Sequence, residues 1–260
     1  MPEHAEATRI HTRLVEYALH VDDARAYWER VNSGNGVTPR KAFDEFWFGA
    51  RSLRRTEIIL RNMRARFDAF PGSLSVLGDW TGMEPETRRL VCHWHLQLSD
   101  PLYREFTGCF LPDRRDEGRE HVTRDLVANW VSEKGEGRWG TATCLQFGSK
   151  LLSASLSAGL VTRKRDPRRI VIPRVPDPAL EYLLYLLRDL RFGGTLIRNP
   201  FLRSVGLEGR DLDRRLEALP SLSFRRQGDL VDFGWQYDNL EEWGTTVTRD
   251  ESTSSHGGRG

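Results

Sequence analysis

The most constraining feature of the chain is a helix with one polar face, followed at once by a strongly basic turn, between Gly140 and Pro173. Leucines recur at helical spacing on one side of the predicted helix, and small polar residues occupy the other side. The apolar set is Leu145, Leu152 and Leu156, and the polar set includes Gln146, Lys150 and Ser153. Gly159 is placed to end the helix.

Two short β-branched runs, 160–162 and 170–172, follow this helix. The turn between them carries five positive charges against one negative charge. Its basic residues are Arg163, Lys164, Arg165, Arg168 and Arg169. A helix with a polar outer face and then a basic hairpin is typical of a winged helix, in which the helix enters a DNA major groove and the hairpin lies on phosphate. The alternative is a basic turn that is merely solvated.

A second stretch, 177–235, repeats this order. Asp177-Pro178 and Asn199-Pro200 predict two helix starts, and Arg210 to Leu219 predicts a third helix. Alternating residues on either side of Gln227-Gly228 then predict a hairpin. The candidate DNA-binding residues here are Arg210, Arg214, Arg215, Arg225 and Arg226. Helix, helix, helix and hairpin in tandem copies favour two winged-helix-like units of the helix-turn-helix class.

The N-terminal third predicts helices at 9–19 and 22–31, a loop over Asn32 to Gly36, and a long helix from Thr38-Pro39. Apolar residues that recur every seven positions predict that one face of this long helix is buried. The repeat is Phe46, Leu53, Leu60 and Phe67, and the basic candidates for phosphate contact are Arg51, Arg54 and Arg55. A solvated helix face is the alternative for these arginines. Pro71 and Gly72 are expected to stop the helix.

The predicted fold class is mainly α, with a helical N-terminal domain and two tandem winged-helix-like units with short β-hairpin wings. The predicted boundaries are a flexible N-terminus at 1–8, the helical domain at 9–118, the first unit at 119–176, the second at 177–244 and a disordered tail at 245–260. The charged run from Pro112 to Arg119 is predicted to be a loop at the first boundary.

Charge and composition narrow the function classes. The net charge is only +2, so the basicity that matters for nucleic acid is local. The chain has three cysteines, an odd number and widely spaced, so they do not form a disulfide framework. This favours a reducing compartment. The acidic N-terminus is unlike a signal peptide, and no apolar run reaches a membrane-spanning length. We therefore expect a cytoplasmic protein with no membrane contact.

Catalytic motifs are hard to find in the sequence. Gly135-x-Gly137-x-x-Gly140 has the glycine spacing of a dinucleotide-binding fingerprint, but no βαβ pattern surrounds it. No lysine is preceded two residues earlier by a carboxylate, as the common nuclease core requires. Cys92-His93-x-His95 is the one metal-like cluster, and we interpret it as helix packing. The sequence predicts no enzyme activity, no cofactor and no metal.

Several helical segments resemble the BrxA family, small helical components of bacterial BREX phage-defence systems. The similar segments are Arg51 to Arg55 running on to Arg66-Phe67, Glu86 to His95, Asp100 to Phe106, and Leu145 to Leu160. The resemblance implies a non-enzymatic DNA-binding accessory protein that works beside a methyltransferase, an ATPase and a phosphatase-like partner. The family has no catalytic motif that could be transferred to particular residues here.

Together, these patterns predict a protein that binds double-stranded DNA mostly through phosphate and serves a defence complex. One alternative is a protein–protein adaptor in which the winged helices are scaffold, since fold alone does not imply function. The other is a transcriptional regulator of the defence locus, which would prefer one operator sequence strongly.

Overall fold

The computed structural model describes residues 4–31 and 37–254, with no account of the side chains of Pro71 and 248–254. The predicted loop at Asn32 to Gly36 and the last six residues lie outside these ranges. The chain is mainly helical. The helices are α1 (Arg13–Glu16), α2 (Val21–Val31), α3 (Pro39–Asp44), α4 (Leu53–Phe67), α5 (Pro71–Asp79), α6 (Pro85–Ser99), α7 (Pro101–Glu105), a π-helical turn (Phe106–Phe110), α8 (Leu111–Asp116), α9 (Arg124–Lys134), α10 (Thr141–Ala158), α11 (Asp177–Arg188), α12 (Pro200–Ser204), α13 (Gly209–Glu217) and α14 (Leu240–Ser254).

The strands are short and pair two by two. They are β1 (His4–Ala5), β2 (His121–Val122), β3 (Arg168–Arg169), β4 (Leu190–Arg191), β5 (Leu222–Gln227) and β6 (Leu230–Trp235). β1 pairs in parallel with β4, whereas β2 with β3 and β5 with β6 are antiparallel pairs. The predicted flexibility of 1–8 is therefore wrong from His4 onward, because β1 binds β4 and the Ala7 N–H donates to the Leu98 carbonyl at 2.7 Å.

Side-chain caps and first-turn prolines fix several helix starts. Thr38, Asp100 and Asn199 each accept a hydrogen bond from the backbone N–H three residues later. A proline follows each of these caps, where its missing N–H costs no hydrogen bond. The predicted starts at Thr38 and Asn199 are confirmed.

Of two predicted interruptions of helix, one is confirmed and one is wrong. Helix α4 ends at Phe67, before the predicted stop at Pro71, although Pro71 then begins α5. The run from Pro112, predicted to be a loop, lies largely within α8. In both cases proline occupies the first helical turn, a position that it tolerates well. The predicted disordered tail is also wrong over 245–254, because α14 continues to Ser254. Val247 packs against the core on that helix.

The long helix predicted from Thr38 is two helices, because the chain leaves helical geometry between Glu45 and Ser52. Leu60 and Phe67 are buried, as the seven-residue spacing predicts, but Phe46 is 73% exposed. The predicted buried stripe therefore fails at Phe46.

Helix α6 lies at the centre of the molecule and is buried almost continuously from Leu90 to Ser99. It packs against α2, α4, α7, α10 and α11, which come from all three predicted segments. Buried apolar side chains from Leu14 to Trp243 form one cluster. The predicted helical domain and the two predicted units therefore share one hydrophobic core.

Between residues 119 and 172, three extended segments flank the helix pair α9–α10. The segment 168–171 lies between the other two: His121 pairs with Arg169, and Val161 pairs with Ile170. Further backbone bonds run from the Ile170 N–H to Glu120 and from the Val171 N–H to Leu160. The basic turn 163–167 connects the second segment to the third.

In residues 177–235, α11, α12 and α13 precede the β5–β6 hairpin, in which Leu222 faces Trp235. This confirms the predicted hairpin and its turn. Helix α13 packs on β5, and α12 packs on the π-helical turn. At that second contact, a Cβ added to Gly108 would lie only 2.5 Å from the Pro200 side chain.

Candidate nucleic-acid interface

Close packing of α9 against α10 determines which side of α10 faces solvent. Gly148 allows the approach, since a Cβ there would lie 2.9 Å from the Arg124 carbonyl oxygen. Phe147 and Leu151 are buried on the inner side. On the outer side Gln146 and Ser153 are exposed, and Lys150 is half-buried. The outer face of α10 is therefore small and polar, as the sequence predicts.

The basic turn is anchored at its base and free at its tip. The Asp166 carboxylate accepts from the Arg124 N–H at 2.7 Å and from the Arg168 Nε at 2.9 Å. Burial raises the pKa of Asp166, but these hydrogen bonds and the positive charges of Arg168 and Arg124 outweigh it and lower the pKa below its ordinary value. The turn is thus attached to the start of α9. Arg169 pairs with Glu120 at 3.2 Å.

The tip residues Arg163, Lys164 and Arg165 are exposed, and none forms an ion pair within the part of the chain that the structure describes. Arg163 donates its Nε to the Pro167 carbonyl at 3.0 Å, which leaves its charge uncompensated. Three adjacent cations without carboxylate partners attract an anion, because no internal ion pair must be broken first.

A groove of about 370 Å³ runs between α1 and α10 beside this turn. Its lining comprises Val15, Arg124, Leu145, Gln146, Ser149 and Lys150. Leu145 and Val15 give the lining an apolar part, and Arg124 and Lys150 are its two cations. The groove shows that α1 covers part of the α10 flank and leaves the polar face open.

The start of α4 and helix α10 both contact α1, since Arg55 donates to the Glu16 carbonyl and α1 packs against α10. Burial lowers the pKa of His20, and the positive charges of Arg55 and Lys150 lower it further. Arg55 donates to the Glu16 carbonyl, lies over the Tyr17 ring and has no carboxylate partner within residues 4–31 and 37–254. Arg51 is exposed and has no ion pair among the described residues, whereas Arg54 pairs with Glu57 at 3.4 Å. The structure thus joins Arg55 of the predicted α4 set to the predicted α10 set through α1.

The basic residues of the second predicted unit are largely neutralised. Three of the five pair with aspartates: Arg214 with Asp211, Arg215 with Asp177 and Arg226 with Asp213. Arg210 and Arg225 are exposed and have no ion pair in the described ranges. The tip of the β5–β6 hairpin instead presents Leu230, which is 77% exposed. The two units therefore present different surfaces.

The Cys-His cluster is part of the core. His93 bonds Tyr103 and Ser204 through its two ring nitrogens, both at 2.9 Å. His95 bonds the Arg66 carbonyl at 3.0 Å and the Tyr182 hydroxyl at 2.7 Å. Burial lowers the pKa of His93 to about 3 and that of His95 to about 4, and it raises the pKa of Cys92 to about 12. Residues 4–31 and 37–254 contain no group of three or more His, Cys, Asp or Glu side chains placed to hold a metal ion.

Arg124 and Ser149 are groove residues that the sequence-based prediction missed. Ser149 lies three residues after Gln146 on the same helical face, so helical spacing could have included it. Arg124 begins α9, and its place beside α10 depends on the close helix crossing at Gly148. Only the tertiary structure shows that proximity.

No protein-family model matches the chain, and no curated protein matches it. Among solved structures, the chain is similar to an uncharacterized protein from Magnetospirillum magneticum, at 15% sequence identity and a TM-score of 0.59. The similarity covers 76% of this chain and 98% of that one. At this identity the similarity concerns the fold alone.

None of the described helices is both long and apolar enough to cross a membrane.

Proposed function

We propose that this chain is a non-enzymatic, cytoplasmic protein that binds double-stranded DNA, mostly through phosphates. The observation that supports this most directly is the exposed tip Arg163, Lys164 and Arg165, which has no carboxylate partner in the described part of the chain. The turn is anchored through Asp166 to Arg124, which lines the same groove as Gln146 and Lys150. Helix α10 would enter the major groove with Gln146 and Ser153, while the tip would bind the flanking phosphates.

The order of elements supports a winged-helix-like assignment for residues 119–172. An extended segment, two helices, a second extended segment, a basic turn and a third segment follow one another, and the third segment pairs between the other two. In such a unit the second helix is the one that contacts bases. Residues 177–235 have a comparable order of helices and hairpin, and we propose the same assignment for them.

Arginine predominates over asparagine and glutamine on the proposed surface, which favours phosphate contact over base reading. We therefore expect binding with little sequence preference. The resemblance to the BrxA family agrees with an accessory role in phage defence beside a methyltransferase and an ATPase. A regulator of the defence locus would instead bind one operator far more tightly than other duplexes.

A second candidate function, a protein–protein adaptor, is favoured by the surface of the second unit. An open groove of about 480 Å³ lies between 195–198 and the β5–β6 hairpin. Its apolar wall includes Leu196, Ile197, Leu230, Val231 and Phe233. Arg226 in its lining pairs with Asp213, and the apolar wall suits a protein better than a phosphate backbone.

The test of DNA binding replaces Arg163, Lys164 and Arg165 together with alanine. The fold should be unchanged, because all three side chains are exposed. Affinity for a random duplex should fall at low salt, and the slope of log K against log salt should flatten by about 0.9 for each phosphate that the variant no longer binds. Titrations by fluorescence anisotropy at four salt concentrations measure both quantities.

A matched control replaces Arg9, Arg25 and Arg191, three exposed arginines outside the proposed surface, so that the net charge changes equally. Its slope should equal that of the wild type. If both triple variants have the same slope of log K against log salt, the phosphate contacts lie outside the turn. No binding by the wild type at low salt would leave the adaptor as the better proposal.

A further inference from the structure

Phe46 has a backbone conformation that suits glycine. Helix α3 ends with two bonds, from the Trp47 N–H to the Ala42 carbonyl at 3.0 Å and from the Phe46 N–H to the Phe43 carbonyl at 3.1 Å. This pair of bonds defines a Schellman motif, whose left-handed residue is usually glycine. Phe46 occupies that position at φ 54°. A residue with a Cβ is strained there.

The Phe46 ring contributes nothing visible to the core. It is 73% exposed, and it stacks with no other ring in the described ranges. The neighbouring Trp47 performs the packing: it is buried, and its indole N–H donates to Glu45 at 2.8 Å. An exposed aromatic ring on a strained backbone favours a role in binding, since both features lower the stability of the free protein.

The surroundings of Phe46 are positively charged. Residues 40–55 contain five basic and two acidic side chains. Arg40 pairs with Asp44 at 2.8 Å, and Glu45 accepts from the Trp47 indole. Lys41, one turn before the end of α3, and Arg51, at the start of α4, have no ion pair in the described part of the chain. Such a surface matches a polyanion better than an acidic or a neutral partner.

The Phe46 loop is also joined to the proposed DNA surface through α1. It ends at Ser52, which caps α4, and Arg55 in the first turn of that helix donates to the Glu16 carbonyl of α1. Helix α1 in turn packs against α10 and contributes Val15 to the groove that Gln146 and Lys150 also line.

We propose that Phe46 is a DNA-contacting wedge that inserts partly between adjacent base pairs, while Arg51 and Lys41 bind the neighbouring phosphates. This rests on the proposed function. Apolar side chains such as phenylalanine unstack a base step in this way, and every step offers an aromatic face, so the contact needs no particular sequence. Flexible pyrimidine–purine steps should be preferred, because they unstack most easily.

The decisive variant is Phe46→Gly, because it should stabilise the protein while weakening DNA binding. Glycine relieves the left-handed strain, so the melting temperature should rise or stay level. Loss of the ring should weaken binding to a random duplex by about 10-fold, which corresponds to the weaker end of base–aromatic stacking. Loss of affinity through misfolding is thereby excluded within the same sample.

Insertion has a direct optical signal. The fluorescence intensity of 2-aminopurine, placed at a central TA step of a short duplex, should change when wild-type protein binds, because insertion unstacks this base. Phe46→Gly at saturating concentration should lose this signal, and Phe46→Trp should keep it.

Two results would overturn the proposal. If Phe46→Gly binds duplex DNA as the wild type does and gives the same signal, the ring does not contact DNA, and the wedge fails while the DNA-binding function stands. If the wild type binds no duplex at low salt, both proposals fail. A drop in affinity with an unchanged 2-aminopurine signal assigns Phe46 to backbone contact and refutes insertion.

Discussion

At the scale of single residues, His93 and His95 are fully buried on the central helix α6, and each forms hydrogen bonds through both ring nitrogens. Cys92-His93-x-His95 could have been read as a metal site from residue types alone. In the structure both histidines are buried hydrogen-bonding residues between helices, with partners as distant in sequence as Ser204. Phe46 illustrates the opposite error. Its place in an apolar repeat predicts burial, but the helix ends before it is reached.

The buried histidines predict a pH dependence of stability. His93 and His95 are neutral when folded, with pKa values lowered to about 3 and about 4, and an unfolded histidine titrates near 6.5. Below 6.5 the unfolded state therefore binds more protons, so the free energy of unfolding falls as the pH is lowered from 7 to 4. Each histidine contributes up to about 1.4 kcal/mol per pH unit in this range.

Denaturant titrations at pH 7, 6, 5 and 4 measure this dependence. His95→Gln keeps hydrogen-bonding capacity without a titrating group, so its stability should depend less steeply on pH than that of the wild type. His121→Gln changes an exposed histidine and should leave the steepness unchanged. Equal slopes for all three proteins would show that the buried histidines do not determine the acid sensitivity.

At the scale of elements, local signals determine where helices start, and contacts distant in sequence determine how they end and pack. Caps at Thr38, Asp100 and Asn199 are local, and those starts were predictable. Proline is ambiguous, because it ends one helix and can begin the next, as at Pro71. The outer face of α10 and the basic turn were predictable from periodicity and charge. Their connection to Arg55 through α1, and the ion pairs that neutralise Arg214, Arg215 and Arg226, depend on tertiary contacts.

The crossing of α9 and α10 predicts that Gly148 cannot be replaced by a larger residue. A Cβ at Gly148 would lie 2.9 Å from the backbone oxygen of Arg124, which cannot rotate away. Gly148→Val should lower the free energy of unfolding by about 1–3 kcal/mol through overpacking. Ser149→Val is the matched control, since it places the same residue at an exposed position of the same helix. Comparable losses in the two variants would attribute the effect to helix propensity and not to the crossing.

At the scale of the whole molecule, one core joins segments that the sequence divides into three. Each predicted segment has its own helices and turns, so local patterns favour separate units. The central helix α6 contacts helices from every segment, and β1 near the N-terminus pairs with β4 near residue 190. Separation into units cannot be judged from local patterns, because it depends on which apolar faces meet.

Helix α14 provides the sharpest test of this single core. Trp243 is fully buried, lies 5.4 Å from the ring of Trp80 and 6.1 Å from that of Tyr182, and donates its indole N–H to the buried Glu181 at 3.2 Å. It therefore joins α5 to α11. Trp243→Ala should lower the free energy of unfolding by about 3–5 kcal/mol, because it leaves a large cavity and removes one partner of a buried carboxylate.

Truncation tests the same packing without a new side chain. A chain ending at Thr246 keeps Trp243 and should melt within a few degrees of the full chain. A chain ending at Asn239 removes α14, uncovers Val76 and Trp80, and should melt well below it. Because the core is continuous, each protein should unfold in a single transition, with far-ultraviolet dichroism and tryptophan fluorescence reporting the same midpoint. Two separate transitions in the full chain would instead show that 177–254 folds independently of the helices before it.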